Sequence, residues 1–172
     1  MRRVVIVGRS GSGKSRLARR LGRQLQLPVI HLDQLYWKPG WREPDIAEFR
    51  ARVAAAIAGD GWISDGSYAL TTFDLRLPRA DAIVWLERSR VLCTWRVLRR
   101  SIGLNKRSED LPEGCREHLD WTFLKYVWQF DILVRPRIET ARRLHGPDVP
   151  VIRLRNKREI GAFVSQLASS PL

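Results

Sequence analysis

A chain of 172 residues has the size of one domain and can bury a core without disulfides or a structural metal. Its formal charge of +13, with only five Lys and therefore 26 Arg among 31 basic residues against 18 acidic ones, points to an anionic partner such as a nucleotide, a nucleic acid or a phosphorylated substrate; genome composition is the other source of such an excess. Cys93 and Cys115 form no CxxC pair and the three histidines have no metal-ligand spacing, so we expect a reduced, cytoplasmic protein; the apolar run 4–7 is too short for a secretory core, and no run approaches a membrane span.

Residues 4–7 are β-branched and end at Gly8, as expected of a buried parallel strand. Residues 14–26 then place Leu17, Leu21 and Leu25 on one helical face, which Leu27-Pro28 terminates. A second strand covers 29–32, with Asp33 at its carboxyl end. A helix follows from Pro44-Asp45 to about residue 58, kept in period by Ile46, Phe49, Val53 and Ile57 and stopped by Gly59-Asp60-Gly61. Trp62-Ile63-Ser64 is a third strand running into Asp65-Gly66, residues 82–86 are a fourth, residues 149–154 a fifth, and a last helix covers about 158–168. Strands separated by helices predict an α/β fold whose mainly parallel sheet is covered on both faces.

The segment between strands four and five is expected to hold two helical stretches, 89–101 and about 117–143, around 103–114. From 88 to 107 there are seven basic residues, Arg88, Arg90, Arg96, Arg99, Arg100, Lys106 and Arg107, and no acid. Leu119, Phe123, Val127, Phe130 and Val134 share one face with Trp121, Leu124 and Trp128 beside it, a packing stripe first of all, and Pro136 should kink or end that helix.

Residues 8–15, GRSGSGKS, satisfy the phosphate-loop pattern G-x-x-x-x-G-K-[ST] in full, between a predicted strand and a predicted helix. Backbone N–H groups must converge on phosphate oxygens there, and Gly8, Gly11 and Gly13 permit the conformations and the close approach. With Ser10, Ser12 and the helix N-terminus they make a nucleotide site in which Lys14 reaches the β and γ phosphates and the Ser15 hydroxyl ligates Mg²⁺.

Ligands of open α/β sheets bind beyond the carboxyl ends of the strands, where Asp33 and Asp65 stand. Phosphoryl transfer needs Mg²⁺ and a group that orients or deprotonates the attacking hydroxyl. Asp33 is expected to address the acceptor hydroxyl and Asp65, followed by Gly66, the Mg²⁺ through water; the roles are exchangeable, and capping of a turn is the bland alternative for each. Around Asp33 runs HLDQLYWKPGW, whose Tyr36, Trp37 and Trp41 either stack on a substrate or clamp the loop to the domain. His31, inside a strand, reads as a structural histidine. Arg96 and Arg100, four apart on one helical face, are candidates to close over the transferred phosphoryl group, with Arg107, Arg135 and Arg137 as further lid candidates.

Four stretches together, GRSGSGKS, HLDQLYWKPGW, ISDGSY at 63–68 and EGCREHLDWTFLKYVWQF at 113–130, resemble the FlaR-type "DNA topology modulation" proteins, P-loop proteins related to adenylate kinase and to small nucleoside and nucleotide kinases. The resemblance runs over nearly the whole chain. It implies a three-layer P-loop NTPase fold: one kinase-like domain over 1–172, a five-stranded parallel sheet in the order 2-3-1-4-5, and a helical lid at about 88–137. By similarity to the wider group, Asp33 matches the acceptor-binding acid, Asp65-Gly66 matches the DG after strand three, Tyr68 joins the acceptor side, and Asn156 lies where relatives surround the adenine. Two departures matter. Arg16 stands where many relatives carry a second hydroxyl, leaving only its backbone N–H for the α-phosphate, and Ser67-Tyr68 replaces the Phe-Pro-Arg of the adenylate kinase acceptor motif, which argues against AMP as acceptor. The expected function is a Mg-ATP-dependent kinase acting on a small nucleoside-like or other hydroxyl-bearing acceptor; the alternative is a nucleic-acid-binding NTPase or DNA topology modulator.

Overall fold

The computed structural model of the protein describes residues 1–102, 114–115 and 119–169. Most of the loop expected at 103–114, with Lys106 and Arg107, and the helix start expected at 117 lie outside the described residues. In chain order the elements are β1 (Arg3–Gly8), α1 (Lys14–Leu25), β2 (Val29–His31), α2 (Leu32–Tyr36), α3 (Ile46–Ala56), β3 (Trp62–Asp65), α4 (Ala69–Arg76), β4 (Ala82–Leu86), α5 (Arg90–Ser101), α6 (Trp121–Trp128), α7 (Phe130–Leu133), α8 (Arg135–His145), β5 (Val151–Leu154) and α9 (Lys157–Ser169). The five strands pair in parallel in the order β2-β3-β1-β4-β5.

The central strands are apolar without alternation because both their faces are covered. Val4, Ile6, Ile63 and Val84 point to α1 and α9 and meet Leu17, Leu21 and Val164 there. Val5, Val7, Trp62, Ile83 and Trp85 point the other way, onto Phe49 of α3, Phe73 of α4 and Ile138 of α8. Each such buried side chain adds about 1.5–3 kcal/mol over exposure. A smaller cluster, Cys93 and Val97 with Leu124 and Val127, joins α5 to α6. Both cysteines are buried and free.

Three segments differ from the reading of the sequence. The second strand stops at His31, and Leu32 begins a short helix with Asp33 in its first turn. Helix α4 and the 3-10 turn Leu77–Arg79 after it carry no helix signal in sequence: Tyr68 enters α4 at φ 37°, ψ 41° without a side-chain cap, and Phe73 and Leu77 are helical because that buries them against the sheet. The stretch expected as one helix from about 117 to 143 is α6, α7 and α8, with breaks at Gln129 and Val134. Pro136 lies in the first turn of α8, where its missing N–H leaves no bond unmade, so it opens a helix instead of ending one. The break at Gln129 also interrupts the packing stripe. Leu124, Val127 and Phe130 are buried, whereas Leu119, Trp128 and above all Trp121, 73% exposed, are not.

Arg76 is fully buried. Its guanidinium donates to the carbonyls of Gly66 (3.0 Å) and Ser67 and to the hydroxyls of Ser64 and Thr72, clamping the turn from β3 into α4. Burial pushes its pKa down to about 9, so it keeps its charge at neutral pH. Arg76→Leu would strand the Gly66 and Ser67 carbonyls, at about 1–3 kcal/mol each. We expect thermal denaturation to show a Tm loss on the order of 5–15 °C, given about 2–4 °C per kcal/mol for a domain of this size; an unchanged Tm would remove the clamp from the description.

Candidate active site

The phosphate loop leaves β1 at Gly8 and enters α1 at Lys14. Gly8 has φ +144°, and a Cβ there would stand 2.6 Å from the Leu86 carbonyl at the end of β4. At Gly11, φ +78°, a Cβ would meet the Cys93 carbonyl of α5 at 2.5 Å. At Gly8 and Gly11 the loop is thus pressed between β4 and α5, with room only for glycine. Inside it, the Arg9 carbonyl accepts from Ser12 N at 3.1 Å and from Lys14 Nζ at 3.2 Å. Arg96 Nη1 donates to the Gly11 carbonyl at 3.1 Å, which brings that lid candidate onto the loop. Ser10 is part of the turn, Ser12 is buried with its Oγ unpartnered, and Ser15 and Arg16 belong to the first turn of α1.

This loop fits a bound phosphate chain. Among the described residues, no atom beyond Gly13 and its chain neighbours stands within 4 Å of where a Gly13 Cβ would be, and the first turn of α1 holds no acid to neutralise its positive end.

Asp33 is open to solvent yet hemmed in by protein, as a group on the floor of a cleft would be. Loss of surrounding water pushes its carboxyl above the usual carboxylate range; the hydrogen bond from Tyr68 Oη, 2.7 Å from Oδ1, and the charges of Lys14 and Arg100 act the other way, and Asp65 adds to the rise. Asp33, Lys14, Arg100 and Asp65 therefore share one electrostatic neighbourhood. Tyr68 is held strongly protonated by burial and by Asp33, so it serves as a fixed donor. Its positive φ is strain of the kind concentrated at functional sites. Tyr68→Phe keeps the ring and removes the donor that stabilises the Asp33 carboxylate, so the acid limb of a pH profile of kcat/KM is expected to move to higher pH, with activity lost earlier on acidification. An unmoved limb would mean that Asp33 is not the titrating group.

The aromatics around Asp33 pack mainly on one another. Tyr36 lies 4.9 Å from Trp37, 5.0 Å from Phe49 and 5.0 Å from Tyr68 by ring centroids, and Trp37 lies 5.5 Å from Trp41. Tyr36 and Tyr68 also pack against the core. Tyr36, Trp37, Trp41 and Tyr68 nevertheless all stay partly exposed.

Asp65 ends β3 in register with His31 of β2 and Ile6 of β1. His31 Nδ1 lies 2.9 Å from Asp65 Oδ2, while Oδ1 is buried without a partner. The histidine thus holds one oxygen of a carboxylate whose second oxygen is unmatched. Among the described residues no group of three or more His, Cys, Asp or Glu could hold a metal alone. Mg²⁺, which keeps waters and takes one or two protein oxygens beside substrate phosphates, fits Ser15 and Asp65 better than a protein cage would.

The remaining candidates separate. Arg135 pairs with Glu87 at 2.7 Å and lies 5.8 Å from the Trp85 ring centroid. Arg137 acts electrostatically on Tyr126, whose phenol is raised by crowding and by Asp33. Asn156 caps α9 by accepting from Glu159 N at 2.9 Å and donating to the Glu159 carboxylate. Sequence reasoning missed Arg76 and Tyr126, for which no motif exists, and the loop-to-helix link made by Arg9, which donates to the Val127 carbonyl and to Asp131.

No family model matches the chain. Shikimate kinase of Corynebacterium efficiens is 36% identical over 98 residues, covering 50% of this chain and 58% of that enzyme. Shikimate kinase of Corynebacterium diphtheriae is also 36% identical over 98 residues, covering 57% of its length. The matched part therefore spans little more than half of either relative. Among solved structures, a gluconokinase from Sinorhizobium meliloti 1021 superposes with TM-score 0.58 at 20% identity, over 96% of this chain and 93% of that one. Deoxyadenosine kinase from M. mycoides, with bound dCTP, gives TM-score 0.52 at 14% identity over 98% and 100% of the two chains. The fold is that of the P-loop kinases. Within this P-loop kinase fold, the phosphate loop, Asp33 and Asp65 occupy the carboxyl edge of the sheet, where such folds place their ligands. No helix among the described residues is long and apolar enough to cross a membrane.

Proposed function

We propose that the chain is an ATP- and Mg²⁺-dependent kinase that transfers the terminal phosphoryl group to a hydroxyl of a small acceptor. The observation that carries this reading is Asp33: its carboxylate, fixed by Tyr68, lies within electrostatic reach of Lys14, so a candidate base and a phosphate-binding cation serve one cleft. The phosphate loop, Gly8 to Ser15 with the Arg16 N–H, binds the phosphates, and the β5–α9 turn with Asn156 borders the base. Bound Mg²⁺ supplies neutralisation of phosphate charge, and Ser15 and Asp65 are the residues that would hold it. Asp33 orients the acceptor hydroxyl and takes its proton as the oxygen attacks. Arg96 and Arg100, from α5, set positive charge against the negative charge of the transferred phosphoryl oxygens.

Acceptors named for the similar proteins, shikimate, gluconate and deoxyadenosine, are all hydroxyl-bearing small molecules. The partly exposed rings of Tyr36, Trp37, Trp41 and Tyr68 favour an acceptor with a flat ring, so a nucleoside-like molecule is our first candidate. The finer resemblance to FlaR-type proteins, and a cytoplasmic site of action, belong to the same reading. Incubation of the purified protein with Mg²⁺, ATP and a panel of nucleosides, nucleoside monophosphates, shikimate and sugar acids, with products identified by mass, should give one class of phosphorylated acceptor. No phosphorylated product from any member would overturn the proposal.

A further inference from the structure

On the sheet face opposite α1, the carboxyl ends of β4 and β5 open into a cavity of about 390 Å³, within the range of small-molecule sites. Trp85 and Phe130 of that face's core form its floor. Its wall carries Arg9, Arg88, Arg90, Arg135 and Arg155, against Glu87 and Asp131. The phosphate loop's own lysine and serines do not line it.

The arginines here outnumber what the carboxylates can neutralise. Glu87 accepts from Arg135 at 2.7 Å, from Arg155 at 3.4 Å and from Arg153, so one carboxylate serves three guanidinium groups. Arg153 has a second partner in Glu139 at 2.5 Å. Arg9 is 3% exposed, donates to Asp131 and to the Val127 carbonyl at 3.1 Å, and leaves its buried Nε without an acceptor. Among the described residues, Arg88 and Arg90 meet no carboxylate: Arg88 donates to the Arg155 carbonyl at 3.2 Å, and Arg90 lies 4.7 Å from the Trp128 ring centroid. A surplus of planar forks over carboxylates is relieved by an oxyanion, which accepts several such donors at once.

We propose that this cavity is a second anion site, separate from the nucleotide loop, that takes a small phosphorylated molecule. The phosphate group faces Arg88, Arg90 and Arg9, and the volume beyond a bare phosphate admits a small organic body. Arg9 belongs to both sites, since its carbonyl receives Lys14 while its side chain lines the cavity.

The test is a calorimetric titration with inorganic phosphate, on the free protein and on protein saturated with a non-hydrolysable ATP analogue and Mg²⁺. Nucleotide-saturated wild type should still bind phosphate, at least tenfold more weakly in the double variant Arg88→Gln/Arg90→Gln, and free Lys14→Ala protein should bind it as the nucleotide-saturated wild type does. Absence of binding to the nucleotide-saturated protein, or binding indifferent to Arg88→Gln/Arg90→Gln, overturns the proposal. If the analogue itself does not bind, the kinase reading fails, while phosphate binding to free protein, compared between Lys14→Ala and the double variant, still reads the cavity. Arg90 is exposed and Arg88 half-buried, and thermal denaturation checks that the double variant is folded.

Discussion

Asp33→Asn should leave ATP binding essentially intact and lower phosphoryl transfer by about 10²–10⁴-fold, the usual contribution of a positioned general base. Asn keeps the size of the side chain and an oxygen that Tyr68 Oη can donate to, so the acceptor cleft keeps its shape. What it loses is the ability to take a proton. The loss should appear in kcat far more than in KM for ATP, because Asp33 lies in the first turn of α2 and not in the phosphate loop. Steady-state kinetics with calorimetric ATP binding separates the two. Equal loss of ATP affinity would assign Asp33 to the nucleotide, and unchanged kcat would remove it from the chemistry. The wild-type activity should fall on acidification with a midpoint above 3.8, since loss of surrounding water raises the Asp33 carboxyl.

Lys14→Ala should lower kcat/KM for ATP by about a hundredfold or more, the scale of one lost charged donor to a developing anion. Unlike Asp33→Asn, it should also weaken binding of the nucleotide itself. The free protein should lose little stability, because Lys14 Nζ makes one part-buried bond, to an Arg9 carbonyl that Ser12 N also serves, and such a bond contributes about 0.5–1.5 kcal/mol. Thermal denaturation beside nucleotide titration checks both halves. Retained affinity with normal turnover would mean that the loop is a structural turn.

The phosphate loop was legible because all its parts are contiguous: three glycines, a lysine and a serine between an apolar run and an amphipathic helix. Strand order was a different matter, since alternation of elements gives a parallel sheet but not the order 2-3-1-4-5, which came with the family resemblance. Asp33 and Asp65 could be placed because strands end where polar residues begin. Their partners could not: His31 lies 34 residues from Asp65, and Tyr68 lies 35 residues from Asp33. Arg76 and Arg9 were lost among 26 arginines, because only tertiary packing distinguishes a buried guanidinium from a solvated one. Helix α4 escaped for a similar reason, having neither a cap nor a clean apolar period, and α6 to α8 were read as one helix because the breaks at Gln129 and Val134 leave no glycine behind.

The most direct measurement follows the γ-phosphoryl group of labelled ATP, with Mg²⁺, in the presence of small acceptors or of DNA, for the wild type and Asp33→Asn. A kinase acting through Asp33 moves the label onto one small hydroxyl-bearing acceptor, and Asp33→Asn stops that transfer. Label released only as inorganic phosphate, stimulated by DNA and indifferent to Asp33→Asn, would contradict it and point to a nucleic-acid-dependent NTPase.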